Sequence, residues 1–221
     1  MERELKVMNE KLVLEKTAQF VKKELENEGS GHDWWHIFRV TELSKTIAEK
    51  EGANLFICQM AALLHDLADD KVVESEEVGL KRIRAWLEEH LADSEKVETI
   101  LHIVATISYK GGHGPKLDLL EAQVVQDADR LDAIGAIGIA RCFTYAGSKG
   151  DLMYNPQLPP RDSMTKEEYR HGESTAINHF YEKLLKLKDL MNTNEGYRIA
   201  LERHQFMEDY LKQFFREWKG Y

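Results

Sequence analysis

The sequence has little cysteine and no long apolar run, and each shortage excludes a class of protein. Cys58 and Cys142 are the two cysteines in 221 residues, too few for a disulfide framework, so we expect buried thiols in a reducing cytosol. No apolar run approaches the ~18 residues that a membrane span requires. The opening MERELKVMNEKLVLEK is charged from the start and lacks a signal-peptide core. These absences predict a cytoplasmic protein with no membrane partner.

Basic residues are outnumbered by acidic ones. The chain carries 30 Lys and Arg against 39 Asp and Glu, which gives a formal net charge of -9. Proteins that bind polymeric nucleic acid usually carry a basic surface, so we expect no such partner. A small anionic substrate stays compatible with this balance, because a bound cation reverses the local charge. The sequence gives no signal for the oligomeric state.

The apolar side chains of the sequence follow the spacing of α-helices. Almost the whole chain shows it, and no segment alternates with a period of two. Polar residues suited to cap helix N-termini precede four amphipathic stretches: Asp33, Asn54, Ser75 and Asp93. The stretch after Asn54 is apolar on most sides, which is typical of the central helix of a bundle. The sequence therefore predicts an all-α fold, a helical bundle.

Two breaks interrupt the helical pattern. Gly111, Gly112, Gly114 and Pro115 form the first, and residues 147–164 hold the other three prolines. The second break is longer than an ordinary connection, so it is either a lid over a functional site or a plain surface loop.

The last part of the chain returns to helical spacing. We predict two long helices there, over about 165–191 and 193–219. No repeat and no change in composition marks a boundary, so we expect a single domain. It covers residues 1–221, with a core over about 31–145 and the C-terminal helices, about 165–219, packed on it.

The stretch AALLHDLADD places His65 and Asp66 side by side at the end of an otherwise apolar helix. Neighbouring residues lie about 100° apart around a helix, so these two side chains converge only on a point between them, near the helix end. Imidazole nitrogen and carboxylate oxygen both ligate borderline or hard divalent cations, but two ligands are too few. The pair indicates a metal site only if other helices bring further ligands.

Two other helices carry such candidates. One has His36, with His32 one turn earlier on about the same face. The other has Asp129 and Asp132, which are three apart and share a face, so spacing does not choose between them. Each piece alone has a plainer explanation, since a single His is usually a core or surface residue and an Asp often solvates a helix end. Only the combination predicts a metal site.

The spaced blocks GHDWWHIFRV, ALLHDLADDK and QDADRLDAIGAIGIAR resemble those of the HD-domain metal-dependent phosphohydrolases. Within that superfamily they resemble the small bacterial YedJ/YpgQ-type HD hydrolases, from about Gly31 to about Arg141. The resemblance selects the Asp before Arg-Leu as a ligand, and it implies an HD-type helical bundle. The implied metal ligands are His36, His65, Asp66 and Asp129, with His32 and Asp132 beside them to orient a ligand or water.

The resemblance also implies a cofactor and a pair of catalytic acids. We expect one divalent ion, Mn²⁺, while mixed nitrogen and oxygen ligation also admits Mg²⁺, Ni²⁺, Co²⁺, Fe²⁺ or Zn²⁺. In related HD hydrolases an acidic pair just after the HD doublet assists catalysis, and Asp69 and Asp70 match it by position. We expect Asp69 to act as general acid or base. Solvation of the helix end is the alternative for Asp70.

Several residues are expected to contact the substrate, because phosphate charge outside the metal shell needs donors. Lys110 and His113 lie in the glycine-rich YKGGHGPK, for which a plain connecting loop is the alternative. In the family, a His on the helix after the HD helix can face the cleft, and His102 matches it, although a core His is the alternative. The expected contacts are His102, Lys110, His113, Arg130, Arg141 and Tyr145.

The activity that the resemblance implies is hydrolysis of a small-molecule nucleotide or another phosphate ester. Its narrower implication is cleavage of nucleoside triphosphates between the α and β phosphates, giving a monophosphate and pyrophosphate. Phosphatase action on nucleoside monophosphates or another phosphomonoester is an alternative, because a fold does not dictate its substrate. Two alternatives outside this enzyme class are a nucleotide-binding regulator with negligible turnover and a purely structural helical module.

Overall fold

Helices make up all regular structure in the residues that a computed structural model describes, namely 2–26, 33–69, 73–107, 117–161 and 172–221. The α-helices, numbered here in chain order, are α1 Glu2–Glu24, α2 Trp34–Glu51, α3 Leu55–Leu64, α4 Glu76–His90, α5 Ser94–Thr106, α6 Leu120–Asp132, α7 Gly135–Lys149, α8 Ala176–Glu182 and α9 Asn194–Trp218. Two 3-10 segments, His65–Ala68 and Leu184–Leu190, follow α3 and α8. None of these described helices is both long enough and apolar enough to cross a membrane.

All four predicted N-caps do cap a helix. The Asp33 carboxylate accepts hydrogen bonds from the backbone N–H groups of Trp35 and His36. Equivalent bonds hold the first turns of α3, α4 and α5, made by Asn54, Ser75 and Asp93. Each bond satisfies an N–H group that a first helical turn leaves without a partner. The sequence alone locates these helix starts for that reason.

The chain divides into two compact units, Met1–Ala128 and Asp129–Tyr221. In the first unit α3 packs against α1, α2 and α5. Eight of its ten residues are buried, and Met60 and Leu64 have no solvent exposure. The prediction that α3 is the central helix of its bundle is therefore confirmed.

The second unit contains the end of α6 together with α7, α8 and α9. Ring contacts between Phe143, Phe180 and Tyr210 join α7, α8 and α9, with centroids 5.9 to 6.2 Å apart. Phe180 is fully buried at the centre of this contact. The expectation of a single domain over residues 1–221 stays a prediction.

The helix predicted over about 165–191 is wrong in its described part. Irregular backbone at 172–175 precedes α8, and a 3-10 segment follows it. The Thr175 hydroxyl caps α8 by accepting from the Asn178 N–H, and Lys183 leaves the helical region with φ −137° and ψ −59°. Apolar spacing continues across both breaks, so the sequence pattern does not reveal them. The last helix, predicted over about 193–219, agrees with α9.

Both cysteine thiols are unpaired, as predicted from their number. Cys58 is fully buried and Cys142 is half-buried. Burial raises the pKa of each thiol to about 12, so little thiolate exists at neutral pH. Both are therefore inert packing groups at that pH.

Candidate metal centre

His65 and Asp66 lie where α3 changes into a 3-10 segment. The α-helix ends at Leu64, and residues His65–Ala68 continue as one tighter turn. Asp69 then adopts extended backbone angles and ends the segment. The doublet thus stands at a helix end, which is where its two side chains are able to converge.

Three side chains from α2 and the 3-10 turn meet at this point. His36 Nε2 lies 3.5 Å from Asp66 Oδ2, and His65 Nε2 lies 3.2 Å from Asp66 Oδ1. The two imidazole rings are edge to face, with centroids 5.5 Å apart. One donor atom from each residue lies within 4.8 Å of the other two. His36 is 1% exposed, His65 9% and Asp66 4%, so the cluster is shielded from water.

The tautomer of His65 suits a metal ligand. Its Nδ1 lies 2.8 Å from the carbonyl oxygen of Ala62, and a carbonyl only accepts, so Nδ1 must donate the proton. In the neutral ring Nε2 then carries the lone pair. A backbone bond that fixes ring and tautomer in this way is typical of metal-ligating histidines.

The chemistry of the donor set agrees with that tautomer. Two imidazole nitrogens and one carboxylate suit a borderline divalent cation. His36, His65 and Asp66 therefore form a possible divalent-metal site, and they fit the ion that the sequence predicts.

Gly79 on α4 holds the 3-10 turn in place, and sequence analysis missed it. A Cβ at this position would lie 2.5 Å from the Leu67 carbonyl oxygen and 2.6 Å from the Ala68 Cα. Both atoms are backbone, so no side-chain rotation relieves the overlap. The available signal was an isolated glycine inside the helical pattern SEEVGLKRIRAWLEEH, which often marks a close backbone approach.

Gly79→Ala is expected to displace the turn that carries His65 and Asp66. Overpacking of this kind costs about 2 kcal/mol of unfolding free energy, and a displaced ligand turn lowers metal affinity by about 10-fold. Urea unfolding and Mn²⁺ titration calorimetry measure the two effects. Gly147→Ala on α7 is the control, because a Cβ there meets nothing within 4 Å. Wild-type Mn²⁺ affinity in Gly79→Ala would show that Gly79 does not hold the ligand-bearing turn in place.

The two aspartates near the end of α6 belong to the second unit. Asp129, the predicted fourth ligand, is half-buried. Asp132 is 1% exposed, and its Oδ2 accepts a hydrogen bond of 2.6 Å from Arg141 Nη1. The predicted substrate contact Arg141 is thus engaged with the residue predicted to stand beside the ligands. The roles of all three stay predictions.

The other described candidates are placed as follows. Asp69 is half-buried, and its backbone N–H donates to the Asp66 carbonyl oxygen at 3.1 Å. His102 is exposed, with Nε2 3.3 Å from an Asp118 carboxylate oxygen, and this hydrogen bond lowers the pKa of Asp118. Arg130 donates to the Leu190 carbonyl, and Tyr145 is 51% exposed. Their catalytic and substrate-binding roles stay predictions.

Four candidates lie outside the described residues: His32, Asp70, Lys110 and His113. The glycine-rich break around 111–115 lies outside them as well.

The described residues form helices that bring a buried His–His–Asp cluster to the end of one of them, an arrangement typical of α-helical metal-binding proteins. Residues 34–134 match the family model of the HD domain. The protein YpgQ of Bacillus subtilis (strain 168) is 39% identical, over 96% of this chain and 97% of its own length. The chain belongs to the HD domain family.

Solved structures agree with this membership. A crystal structure of an HD-superfamily hydrolase from Bacillus thuringiensis is 49% identical, with a TM-score of 0.79 and coverage of 96% of this chain and 100% of that one. The crystal structure of Bacillus subtilis YpgQ in complex with ADP is 37% identical, with a TM-score of 0.74 and coverage of 92% and 97%. The protein is thus an HD-type metal-dependent phosphohydrolase.

Proposed function

We propose that the protein hydrolyses nucleoside triphosphates between the α and β phosphates, giving a monophosphate and pyrophosphate with Mn²⁺ as its ion. The convergence of His36, His65 and Asp66 within 4.8 Å carries the proposal. The similar YpgQ has been crystallised with ADP, which contains an α–β anhydride of the kind that this reaction cleaves. The two unpaired thiols support a reducing cytoplasm as the place of action.

Four residues would hold the ion: His36, His65, Asp66 and Asp129. When bound there, a divalent ion neutralises charge on a phosphoryl oxygen and lowers the pKa of water enough for attack at neutral pH. The Ala62 carbonyl keeps His65 Nε2 available as a donor by holding the proton on Nδ1. Burial of His36, His65 and Asp66 strengthens their interaction with a cation, because less water screens the charges.

We assign proton transfer to Asp69. It ends the turn that carries Asp66, it is bonded to that residue through the backbone, and it is partly open to solvent. A carboxylate in this position would accept a proton from the attacking water and return it to the departing pyrophosphate. Asp70 stays a second candidate for this role.

Product analysis tests the proposed reaction. The purified chain is incubated with Mn²⁺ and each nucleoside triphosphate, ribose and deoxyribose, and the products are identified by phosphorus NMR. We expect pyrophosphate and a monophosphate in equal amounts, and none from Asp66→Asn purified in parallel. Orthophosphate released from monophosphates would instead identify a phosphomonoesterase. Nucleotide binding without turnover under every divalent metal would identify a regulator.

A further inference from the structure

The C-terminal end of α6 is held by an arginine from a distant helix. Arg203 on α9 donates from Nη1 to the carbonyl oxygen of Leu131 at 2.5 Å. That oxygen also accepts from the Ile134 N–H at 3.2 Å. The last carbonyls of a helix have no partner within it, and a cation there also opposes the negative end of the helix dipole. The contact therefore stabilises the final turn of α6.

The chain is shaped to let Arg203 reach this carbonyl. Gly135, which begins α7, has φ +76°, and a Cβ on it would lie 2.9 Å from Arg203 Cγ and 3.0 Å from Arg203 Cβ. The side chain of Arg203 thus crosses the backbone at a position that both its left-handed conformation and its lack of space reserve for glycine. The Arg203 side chain therefore packs directly against the backbone that connects α6 to α7.

A second arginine acts on the next residue of α6. Arg141 Nη1 donates to the Asp132 carboxylate at 2.6 Å and to the Asp132 carbonyl oxygen at 3.3 Å. Two cations from α7 and α9 therefore bind the last two carbonyls of the helix. Asp129 lies in the same final turn, two residues before Leu131, so the stability of that turn decides how firmly its carboxylate is held.

We propose that Arg203 is a positioning residue for the metal centre: by fixing the last turn of α6 it holds Asp129 in the orientation required of a metal ligand. This inference rests on the proposed function, in which Asp129 is the fourth ligand. A metal ligand must keep its geometry closely, and helix ends fray unless they are tied down. Arg203 restrains this helix end through its hydrogen bond to the Leu131 carbonyl oxygen.

Metal affinity of the full chain tests the inference, with Mn²⁺ alone as the probe in titration calorimetry at 10 °C. We expect Arg203→Ala to raise the dissociation constant about 10-fold, and Arg203→Lys, which keeps one donor and the charge, to raise it less. Thermal unfolding of the metal-free variants is measured alongside. Arg198→Ala is the control on the same helix, since Arg198 is 55% exposed and pairs with Glu195 and Glu202; it should bind Mn²⁺ within twofold of wild type.

Two further variants separate positioning from general destabilisation and from failure of the proposed ligand set. Leu211→Ala opens a cavity under α9 and destabilises it elsewhere; it should lower the melting temperature and leave the Mn²⁺ constant unchanged. Asp129→Asn should weaken binding at least as much as Arg203→Ala. If Asp129→Asn binds normally, the ligand assignment is wrong and the inference falls with it. If Asp129→Asn weakens binding while Arg203→Ala does not, only the inference is overturned.

Discussion

Asp66→Asn is expected to lose nearly all hydrolysis and most of its metal. The substitution keeps the volume of the side chain but removes the charge that lies 3.5 and 3.2 Å from the two imidazole donors. A metal ion contributes several kcal/mol of charge stabilisation in the transition state. A loss of ~4 kcal/mol corresponds to a ~10³-fold fall in kcat/KM. Elemental analysis of protein purified without chelators, followed by kinetics with added Mn²⁺, measures both effects.

Two companion variants make this result specific. Asp189→Asn removes a carboxylate that is 71% exposed on the 3-10 segment after α8, and it should keep wild-type activity and metal content. Asp69→Asn should keep its metal while kcat falls at least ~10-fold, because it loses proton transfer and not ligation. Stoichiometric Mn²⁺ in Asp66→Asn with more than a tenth of wild-type activity would show that Asp66 is not a ligand.

Local chemistry explains why the helix starts were predictable. A cap such as Asp33 or Asn54 acts on N–H groups two or three residues away, so a short stretch of sequence contains the whole interaction. The break after Glu182 was not predictable in the same way. It lies at the non-helical backbone of Lys183, and the neighbouring Glu182 carboxylate is bound by Arg161, which lies 21 residues earlier in the chain.

The residues of the candidate metal site also differ in how far local sequence predicts them. His65 and Asp66 are neighbours in sequence, and their position at the end of α3 follows from the apolar run before them. His36 was a candidate because it lies on another helix, but the resemblance was needed to select it as a ligand, because nothing local says that α2 faces the turn that carries His65 and Asp66. Neither the local sequence pattern nor the resemblance predicted the roles of Gly79 and Arg203. Each acts by close approach to backbone in another element, and the sequence shows only a glycine within a helix and an arginine on a polar face.

The loop between α7 and α8 provides the prediction with the largest effect on stability. Arg161 at the end of its described part binds the Glu182 carboxylate with its side chain and its backbone N–H, at 2.9 and 3.0 Å. Ser174 donates to the same carboxylate at 3.1 Å. The Glu182 side chain is 2% exposed and that of Arg161 26%, so this pair is largely shielded from solvent.

Glu182→Gln is expected to lower the unfolding free energy by about 3 kcal/mol, because it removes the charge of a carboxylate that is 2% exposed and is paired with the Arg161 guanidinium. For a chain of this size that corresponds to a melting temperature about 9 °C lower. Asp209→Asn in the exposed pair with Lys212 is the matched control and should cost less than about 1 kcal/mol. Urea unfolding at neutral pH compares the two variants with wild type.

The pH dependence distinguishes loss of this ion pair from loss of packing. Burial alone would raise the pKa of Glu182, but the hydrogen bonds from Arg161 outweigh it and hold the pKa below its ordinary value of 4.5. The folded state therefore favours the ionised carboxylate, and this stabilisation is fully present above pH 4.5 and is lost as the pH falls through the lower folded-state pKa. The difference in unfolding free energy between wild type and Glu182→Gln should shrink over that acid range. A difference that stays constant down to the acid transition would mean that shape, and not charge, holds the loop against α8.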